Sequence, residues 1–120
     1  MTVHVATPHV LSASTMIGDP VHNSADEKLG HIEELMIDVE FGRVAYAVLS
    51  FGGFLGMGEK LFAIPWPALR LDAEGKRFLL DIDQETLKEA PGFDKDDWPE
   101  VSDRSWGTDI YVYYGYDPYW

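Results

Sequence analysis

The chain has 120 residues, no cysteine, a formal net charge of −12 and 46% hydrophobic residues. This length and composition predict one globular domain that can bury a core, without a disulfide framework or thiolate chemistry. Only nine residues are Lys or Arg, and they are scattered, so direct binding to nucleic acid or to an anionic lipid surface is disfavoured.

The N-terminal region shows no targeting pattern. It lacks the charged segment and apolar core of a signal peptide, and no apolar run approaches the ~20 residues that span a bilayer. We therefore expect a cytoplasmic protein with no transmembrane segment. Residues 1–15 are small and polar without a clear period, which predicts a loose N-terminal arm.

The next segments alternate between strand and turn patterns. Residues 16–22 are a short strand candidate, in which Pro20 indicates a sheet edge or a bulge. The polar run at residues 23–27 predicts a turn. A longer strand is expected at about residues 28–39. Its apolar positions change parity at Glu33-Glu34, which predicts a β-bulge of the kind that bends strands in small barrels.

A third strand is the most apolar segment of the chain. Gly42 is expected to form the preceding turn with a positive φ. Residues 43–51 are apolar on both strand faces, so we expect this strand to be covered on both sides. One cover is the barrel interior. The other is either the C-terminal segment or a second copy of the protein.

A glycine-rich segment follows the third strand and carries three large apolar residues, Phe54, Leu55 and Met57. Four of the seven residues at 52–58 are glycine, which predicts a tight connection. Because a loop has little core of its own, these three side chains are the first candidates for a contact with a partner.

The second half of the chain begins with shorter elements. Residues 59–65 are a fourth strand, and residues 69–72 and 77–82 form a predicted hairpin. Asp83 is expected to cap a short helix at residues 84–90, which Pro91-Gly92 ends.

The C-terminal region is unusually aromatic. An acidic linker starts at Asp94, and the last 23 residues hold eight of the sixteen aromatic residues. Disordered tails are poor in aromatics, so we expect this one to be ordered, with a strand candidate at residues 110–114. Three interpretations remain open: packing on its own or a neighbouring barrel, recognition of another protein, or a membrane-interface belt, which the acidic charge opposes.

The predicted contact residues for a dimer or another partner come from the glycine-rich segment and the aromatic region. They are Phe54, Leu55, Met57, Trp98, Trp106, Tyr111, Tyr113, Tyr114, Tyr116 and Trp120.

Signals for catalysis or metal binding are weak. The glycine-rich segment lacks the Gly-Lys-Ser/Thr of a P-loop and the βαβ context of a dinucleotide fingerprint. Abundant carboxylates, such as Glu33-Glu34 and Asp38 with Glu40, are interpreted as solvated strand edges. No serine has the context of a nucleophile.

The histidines add no metal signal. No two of them form a ligand pair at strand or helix spacing, although two fall on adjacent predicted strands. The four are His4, His9, His22 and His31. We predict no catalytic residue, no cofactor and no metal.

Several segments, in this order and spacing, resemble a known family. They are EKLGHI at residues 27–32, LMID at 35–38, GRVAYAVLSFGG at 42–53 and IPW at 64–66. Together they resemble the PRC-barrel family over about residues 16–93. That family is named after the cytoplasmic domain of the photosynthetic reaction-centre H subunit, and it includes the C-terminal domain of a 16S ribosomal RNA maturation factor.

The resemblance implies a small all-β barrel, often an adaptor between proteins, with no known catalysis. The membrane helix of an H subunit and the N-terminal domain of the ribosome factor have no counterpart in this sequence. The chain therefore looks like a stand-alone member of the family.

The combined prediction is an all-β protein in three parts. Residues 1–15 form an arm, residues 16–93 form a PRC-type barrel of about six strands with one short helix, and residues 94–120 form an acidic linker and aromatic extension. We expect a non-enzymatic protein-binding or scaffolding module, as a homodimer or with another protein. The alternatives are an accessory factor in photosynthetic reaction-centre electron transfer or assembly, which the family name alone suggests, and a small-molecule-binding barrel.

Overall fold

The computed structural model of the chain describes residues 10–52 and 59–120. Within these ranges the elements are α1 (Ala13–Met16), β1 (Pro20–His22), β2 (Lys28–Asp38), β3 (Arg43–Gly52), β4 (Glu59–Pro65), β5 (Leu69–Asp72), β6 (Arg77–Leu80), α2 (Gln84–Glu89), β7 (Phe93–Asp94) and α3 (Arg104–Tyr113). A 3-10 turn at Trp66–Ala68 joins β4 to β5. Each helix in these ranges is too short or too polar to cross a membrane.

All seven strands belong to one sheet, in the order β5-β6-β1-β2-β3-β4-β7. Neighbouring strands are antiparallel, except that β1 and β6 are parallel. The β-rich prediction is confirmed, but the sheet is not a closed barrel: among the described residues no strand pair joins its edges, β5 and β7. The edge strand β7 has only two residues, too few to continue the sheet along β4. The strand count and the three helices also exceed the predicted six and one.

The predicted bulge in β2 is confirmed. Ile32 lies opposite Leu49 of β3, and Glu34 lies opposite the next residue, Val48. Glu33 is therefore the extra residue that shifts the parity of β2 and bends the strand.

A second irregularity occurs further along the same strand pair. Met36 lies opposite Tyr46, and Ile37 lies opposite Val44. Ala45 of β3 is thus left without a partner in the β2–β3 register, and its backbone is available to another part of the chain.

The strand β3 separates two hydrophobic clusters. The inner cluster lies on one side of the sheet and includes Leu87 of α2; its buried members are Val21, Leu29, Ile32, Leu35, Ala47, Leu49, Phe51, Phe62, Ile64, Phe78, Leu80, Leu87 and Ala90. The outer cluster lies between β3, β4 and α3; its buried members are Ala45, Tyr46, Val48, Leu61, Ala63 and Ile110. The prediction that β3 is covered on both sides is confirmed, since Ala45 through Phe51 are all buried.

The aromatic C-terminal region contains a helix where a strand was the sequence-based expectation. The predicted strand at residues 110–114 is instead the end of α3, which Asp103 caps by accepting a hydrogen bond from a backbone N–H two residues on, 2.9 Å away. The buried positions Gly107, Ile110 and Tyr111 follow helical spacing and face the sheet. Packing against the outer cluster therefore overrides the strand propensity of the Tyr and Val residues.

Local turn and cap predictions are confirmed. Gly42 has φ +68° in the β2–β3 turn, and Asp83 caps α2 by accepting the backbone N–H of Thr86 at 2.7 Å. The first strand is shorter than predicted. It begins at Pro20 because Met16 belongs to α1 and Gly18 adopts φ +96°.

Candidate functional site

The contact residues predicted from the sequence fall into two regions. Phe54, Leu55 and Met57 lie outside the described residues. The other seven belong to residues 98–120, which we call the tail. Their side chains divide into those that pack inside the protomer and those that remain exposed.

Tyr111 is the most enclosed of the tail aromatics. It has no exposed surface, and its hydroxyl donates a hydrogen bond to the backbone carbonyl of Ala45, the residue that the second bulge leaves without a strand partner. The Trp120 ring packs edge-on at 5.0 Å from the Tyr111 ring, and its indole N–H donates to Thr108 at 2.9 Å. In this fold Tyr111 has no surface to offer to a partner.

Two further tail aromatics face the sheet. Trp106 packs edge-on against Tyr46 at 5.5 Å and against Phe93 at 6.2 Å. Tyr114 packs against both hydrophobic clusters. Of the three interpretations of the tail, the structure shows packing on the chain's own sheet.

Three predicted contact residues of the tail keep substantial exposed surface. Trp98 is 37% exposed and packs at 5.0 Å from Phe93, Tyr113 is 46% exposed and Tyr116 is 36% exposed. Their role in binding a partner stays a prediction.

Asp38, at the end of β2, connects the β2–β3 turn to the tail. One of its carboxylate oxygens accepts the backbone N–H groups of Glu40 and Phe41, both at 3.0 Å. The other accepts from the guanidinium of Arg104 at 2.7 Å and from the hydroxyl of Tyr119 at 2.5 Å. Arg104 also donates to Glu40 at 2.9 Å, and the Asp38 side chain is only 4% exposed. We call Asp38, Glu40, Arg104 and Tyr119 the Asp38 cluster.

Aromatic and cationic groups surround this cluster. The guanidinium of Arg43 lies 3.8 Å from the centre of the Tyr119 ring, and the Arg104 guanidinium lies 5.2 Å from Phe41 and 5.0 Å from Trp120. These cation–π contacts add to the ion pairs that hold the tail against the turn.

Asp38 and Arg104 stay charged, and Tyr119 stays neutral, over the physiological pH range. Hydrogen bonds from Arg104 and then Tyr119 hold the pKa of Asp38 well below its usual 3.8, and the bond to Asp38 raises the pKa of Arg104 further. Burial and the hydrogen bond to Asp38 raise the pKa of Tyr119 to about 12. The cluster is therefore a constant structural connection at neutral pH.

We expect the substitution Asp38→Asn to destabilise the protein more at pH 6 than at pH 3. The pKa of Asp38 is lower in the folded protein, so its ionised carboxylate stabilises the fold fully above the unfolded pKa of about 3.9, and this stabilisation is lost as the pH falls toward the folded pKa. Urea unfolding of both proteins at the two pH values measures the difference.

The matched control for this experiment is Asp96→Asn, which removes an exposed carboxylate of the linker. It should change the urea midpoint little at either pH. Equal destabilisation by Asp38→Asn at pH 6 and pH 3 would show that the carboxylate charge does not stabilise the folded protein.

A groove of about 440 Å³ lies beside the Asp38 cluster. Its apolar walls come from β2, β3 and the tail, and are formed by Met36, Ile37, Val39, Ala45, Tyr46, Val101, Gly107 and Trp120. Ile37 is 55% exposed and Val39 is 91% exposed, which is unusual for adjacent aliphatic side chains around one depression.

The groove has an acidic rim. Its charged lining residues within the described ranges are three carboxylates, Asp38, Glu40 and Asp103, and one guanidinium, Arg104. Arg104 is already bonded to two of the carboxylates, and the Glu40 side chain is 72% exposed. The groove therefore combines exposed aliphatic walls with an excess of negative charge.

The described histidines belong to polar surface networks. His22 lies 2.7 Å from the Arg77 guanidinium and 3.3 Å from Asp26, and His31 lies 3.4 Å from Glu33. The two described ranges contain no group of three or more His, Cys, Asp or Glu side chains placed to hold a metal ion. His4 and His9 lie outside these ranges.

The interpretation of Asp38 as a solvated strand edge is wrong, because its carboxylate is buried and bonded on both oxygens. A local signal was available: an Asp shortly before a turn glycine such as Gly42 commonly accepts hydrogen bonds from the turn backbone. Its bond to Arg104 joins residues 66 positions apart, and that pairing has no signature in the sequence.

Comparison with protein-family models matches residues 8–87 to the PRC-barrel domain. The match covers two thirds of the 120 residues, with β1 to β6 and most of α2, and leaves the tail outside. A search of curated proteins finds no match to the chain.

Proposed function

Because the chain belongs to the PRC-barrel family, we propose that it is a non-enzymatic module that binds or scaffolds another protein. The family match supports a barrel-type module and names no substrate or reaction. The proposal includes the cytoplasmic location expected from the sequence.

One observation carries this proposal: the exposed side chains of Ile37 and Val39 both line one groove. Singly exposed aliphatic residues are common on protein surfaces, but a concave site lined by several of them is typical of a binding site. The Asp38 carboxylate fixes the turn that carries Val39, so the site is formed before any partner arrives.

The inner cluster argues against the alternative of a small molecule held in the interior of the fold. That space is filled by aliphatic and aromatic side chains, among them Ile32, Leu49, Phe62 and Phe78, all at most 2% exposed. A ligand-binding interior requires a cavity with a few convergent polar groups.

Self-association is part of the proposal. Two copies that each carry a net charge of −12 repel one another, so contact between them requires an uncharged surface. Val112 and Tyr113 at the end of α3 and Tyr116 just after it are exposed and uncharged, and we call these three the tail patch. We propose the tail patch as the contact between two copies.

The proposed function predicts a stable complex with a second protein. The tagged full-length chain, crosslinked in its native cells and then purified, should elute with a partner in fixed stoichiometry, and the complex should re-form from the two purified components. Sedimentation of the chain alone should give twice its mass of 13.5 kDa. A chain that is monomeric and re-forms no complex with any purified candidate would contradict the proposal.

A further inference from the structure

We infer that the groove beside the Asp38 cluster binds an extended segment of a basic partner protein, with aliphatic side chains against Ile37 and Val39 and Lys or Arg side chains at the acidic rim. This inference rests on the proposed function and specifies its binding surface and the chemistry of its partner.

The walls of the groove require an apolar occupant. Val39 is 91% and Ile37 is 55% exposed, while the neighbouring wall residue Tyr46 is 4% exposed and belongs to the outer cluster. An apolar side chain placed in the groove would remove aliphatic surface from water on both sides of the contact. Such burial favours binding.

The charges around the groove favour a basic occupant. Three carboxylates and one guanidinium line it, and the guanidinium of Arg104 is already occupied by Asp38 and Glu40. The whole chain has a net charge of −12. Lys and Arg side chains complement this potential, whereas a second copy of this acidic chain does not.

The size and rigidity of the groove favour a short segment. Its volume of about 440 Å³ lies near the lower end of the ~300–1,000 Å³ typical of binding pockets, which suits a few side chains. Asp38 holds the turn on one side through two backbone N–H groups, and Trp120 is fixed on the other by its bond to Thr108. Because both sides are held in place, binding costs little ordering of the protein.

The test uses two short fluorescent peptides, one alternating Leu with Lys and one alternating Leu with Glu, mixed with the full-length chain at physiological ionic strength. We expect the lysine peptide to bind, by fluorescence anisotropy, and the glutamate peptide not to bind. In NMR spectra, the lysine peptide should shift the signals of Ile37, Val39 and Trp120. Absence of lysine-peptide binding, or shifts confined to other residues, would overturn the inference.

The substitution Val39→Asp separates groove binding from general charge attraction. Although it makes the protein more acidic, this substitution removes an apolar contact from the groove. It should therefore weaken lysine-peptide binding about tenfold or more, which corresponds to about 1.4 kcal/mol. Val112→Asp makes the same charge change in the tail patch and should leave the affinity unchanged. Unchanged or tighter binding by Val39→Asp would show non-specific attraction, and the inference would be wrong.

Two further outcomes distinguish this inference from the proposed function. If the native partner crosslinks only to surfaces away from the groove, the inference fails while the proposed function stands. If the peptide binds as expected but no partner complex re-forms, the proposed function fails and the binding chemistry of the groove holds. Loss of self-association in Val39→Asp, measured by sedimentation, would identify a second copy as the occupant and overturn the inference.

Discussion

Removal of residues 98–120 is expected to leave a chain that cannot persist as a stable monomer. In the full chain, α3 covers Tyr46, Val48, Leu61 and Ala63, which are all at most 4% exposed. Without the tail these side chains face water. For each large side chain, the folded state then loses about 1.5–3 kcal/mol of stabilisation from burial. The sum over several side chains is comparable to the ~5–15 kcal/mol that stabilises an ordinary domain.

Circular dichroism during heating and sedimentation at several concentrations measure this effect. We expect either loss of the cooperative transition or concentration-dependent association through the uncovered sheet face. A synthetic peptide with the sequence of residues 98–120, added in excess, should restore the cooperative transition and the oligomeric state of the full chain. A truncated chain that is monomeric and melts within a few degrees of the full chain would show that the tail is dispensable.

This outcome would also set the boundary of the folding unit. The family match ends at residue 87, before β7 and α3. If the tail is required, the matched segment of this chain is not an autonomous domain, and the extension belongs to its hydrophobic core.

The second large effect is expected at Tyr111. Replacement by Ala removes a fully buried ring and leaves a cavity, which costs about 3–5 kcal/mol for an aromatic residue. Replacement by Phe keeps the ring but leaves the Ala45 carbonyl without its hydrogen bond, which costs about 1 kcal/mol. At roughly 4 °C for each kcal/mol in a chain of this size, Tyr111→Phe should lower Tm by about 4 °C and Tyr111→Ala by more than about 12 °C.

The matched control is Asp109→Ala, two residues away on the same helix. Asp109 is exposed and lies outside the tail patch, so its replacement should change the free energy of unfolding by no more than about 0.5 kcal/mol. Urea unfolding of all three variants provides the comparison. A cost of Tyr111→Ala no larger than that of Asp109→Ala would mean that the outer cluster does not stabilise the fold.

Local features of the fold could be predicted because each depends on a few neighbouring residues. The parity change at Glu33-Glu34 predicts the bulge since successive strand residues point to opposite faces. Gly42 marks a turn because glycine readily adopts a positive φ. Asp83 marks the start of a helix because its side chain accepts a hydrogen bond from a nearby backbone N–H. Because side chains alternate between the two faces of a strand, the apolar residues on both faces of β3 predict that both faces are buried.

The open edges of the sheet could not be predicted in this way. Closure depends on whether the last strand can pair along its whole neighbour, and β7 pairs with β4 only at Lys60 and Leu61. A family resemblance implies a barrel, but the length of one edge strand is a property of this chain. The helix in the tail could not be predicted either, because its Tyr and Val residues favour strands. Packing against the outer cluster, which depends on the whole fold, stabilises the helix instead.

The β-rich class, the approximate positions of β1 to β6 along the chain, the buried position of β3 and the family follow from the sequence alone. These depend on side-chain alternation and local turn chemistry, which are written in adjacent residues. The tertiary structure alone decided that the tail folds back as a helix, that Asp38 meets Arg104 and Tyr119, and that a groove opens beside them. The Asp38–Arg104 bond joins residues that are 66 positions apart, and the Asp38–Tyr119 bond joins residues that are 81 positions apart. Such pairings depend on which faces bury the most apolar surface together, and this is settled only when the whole chain has folded.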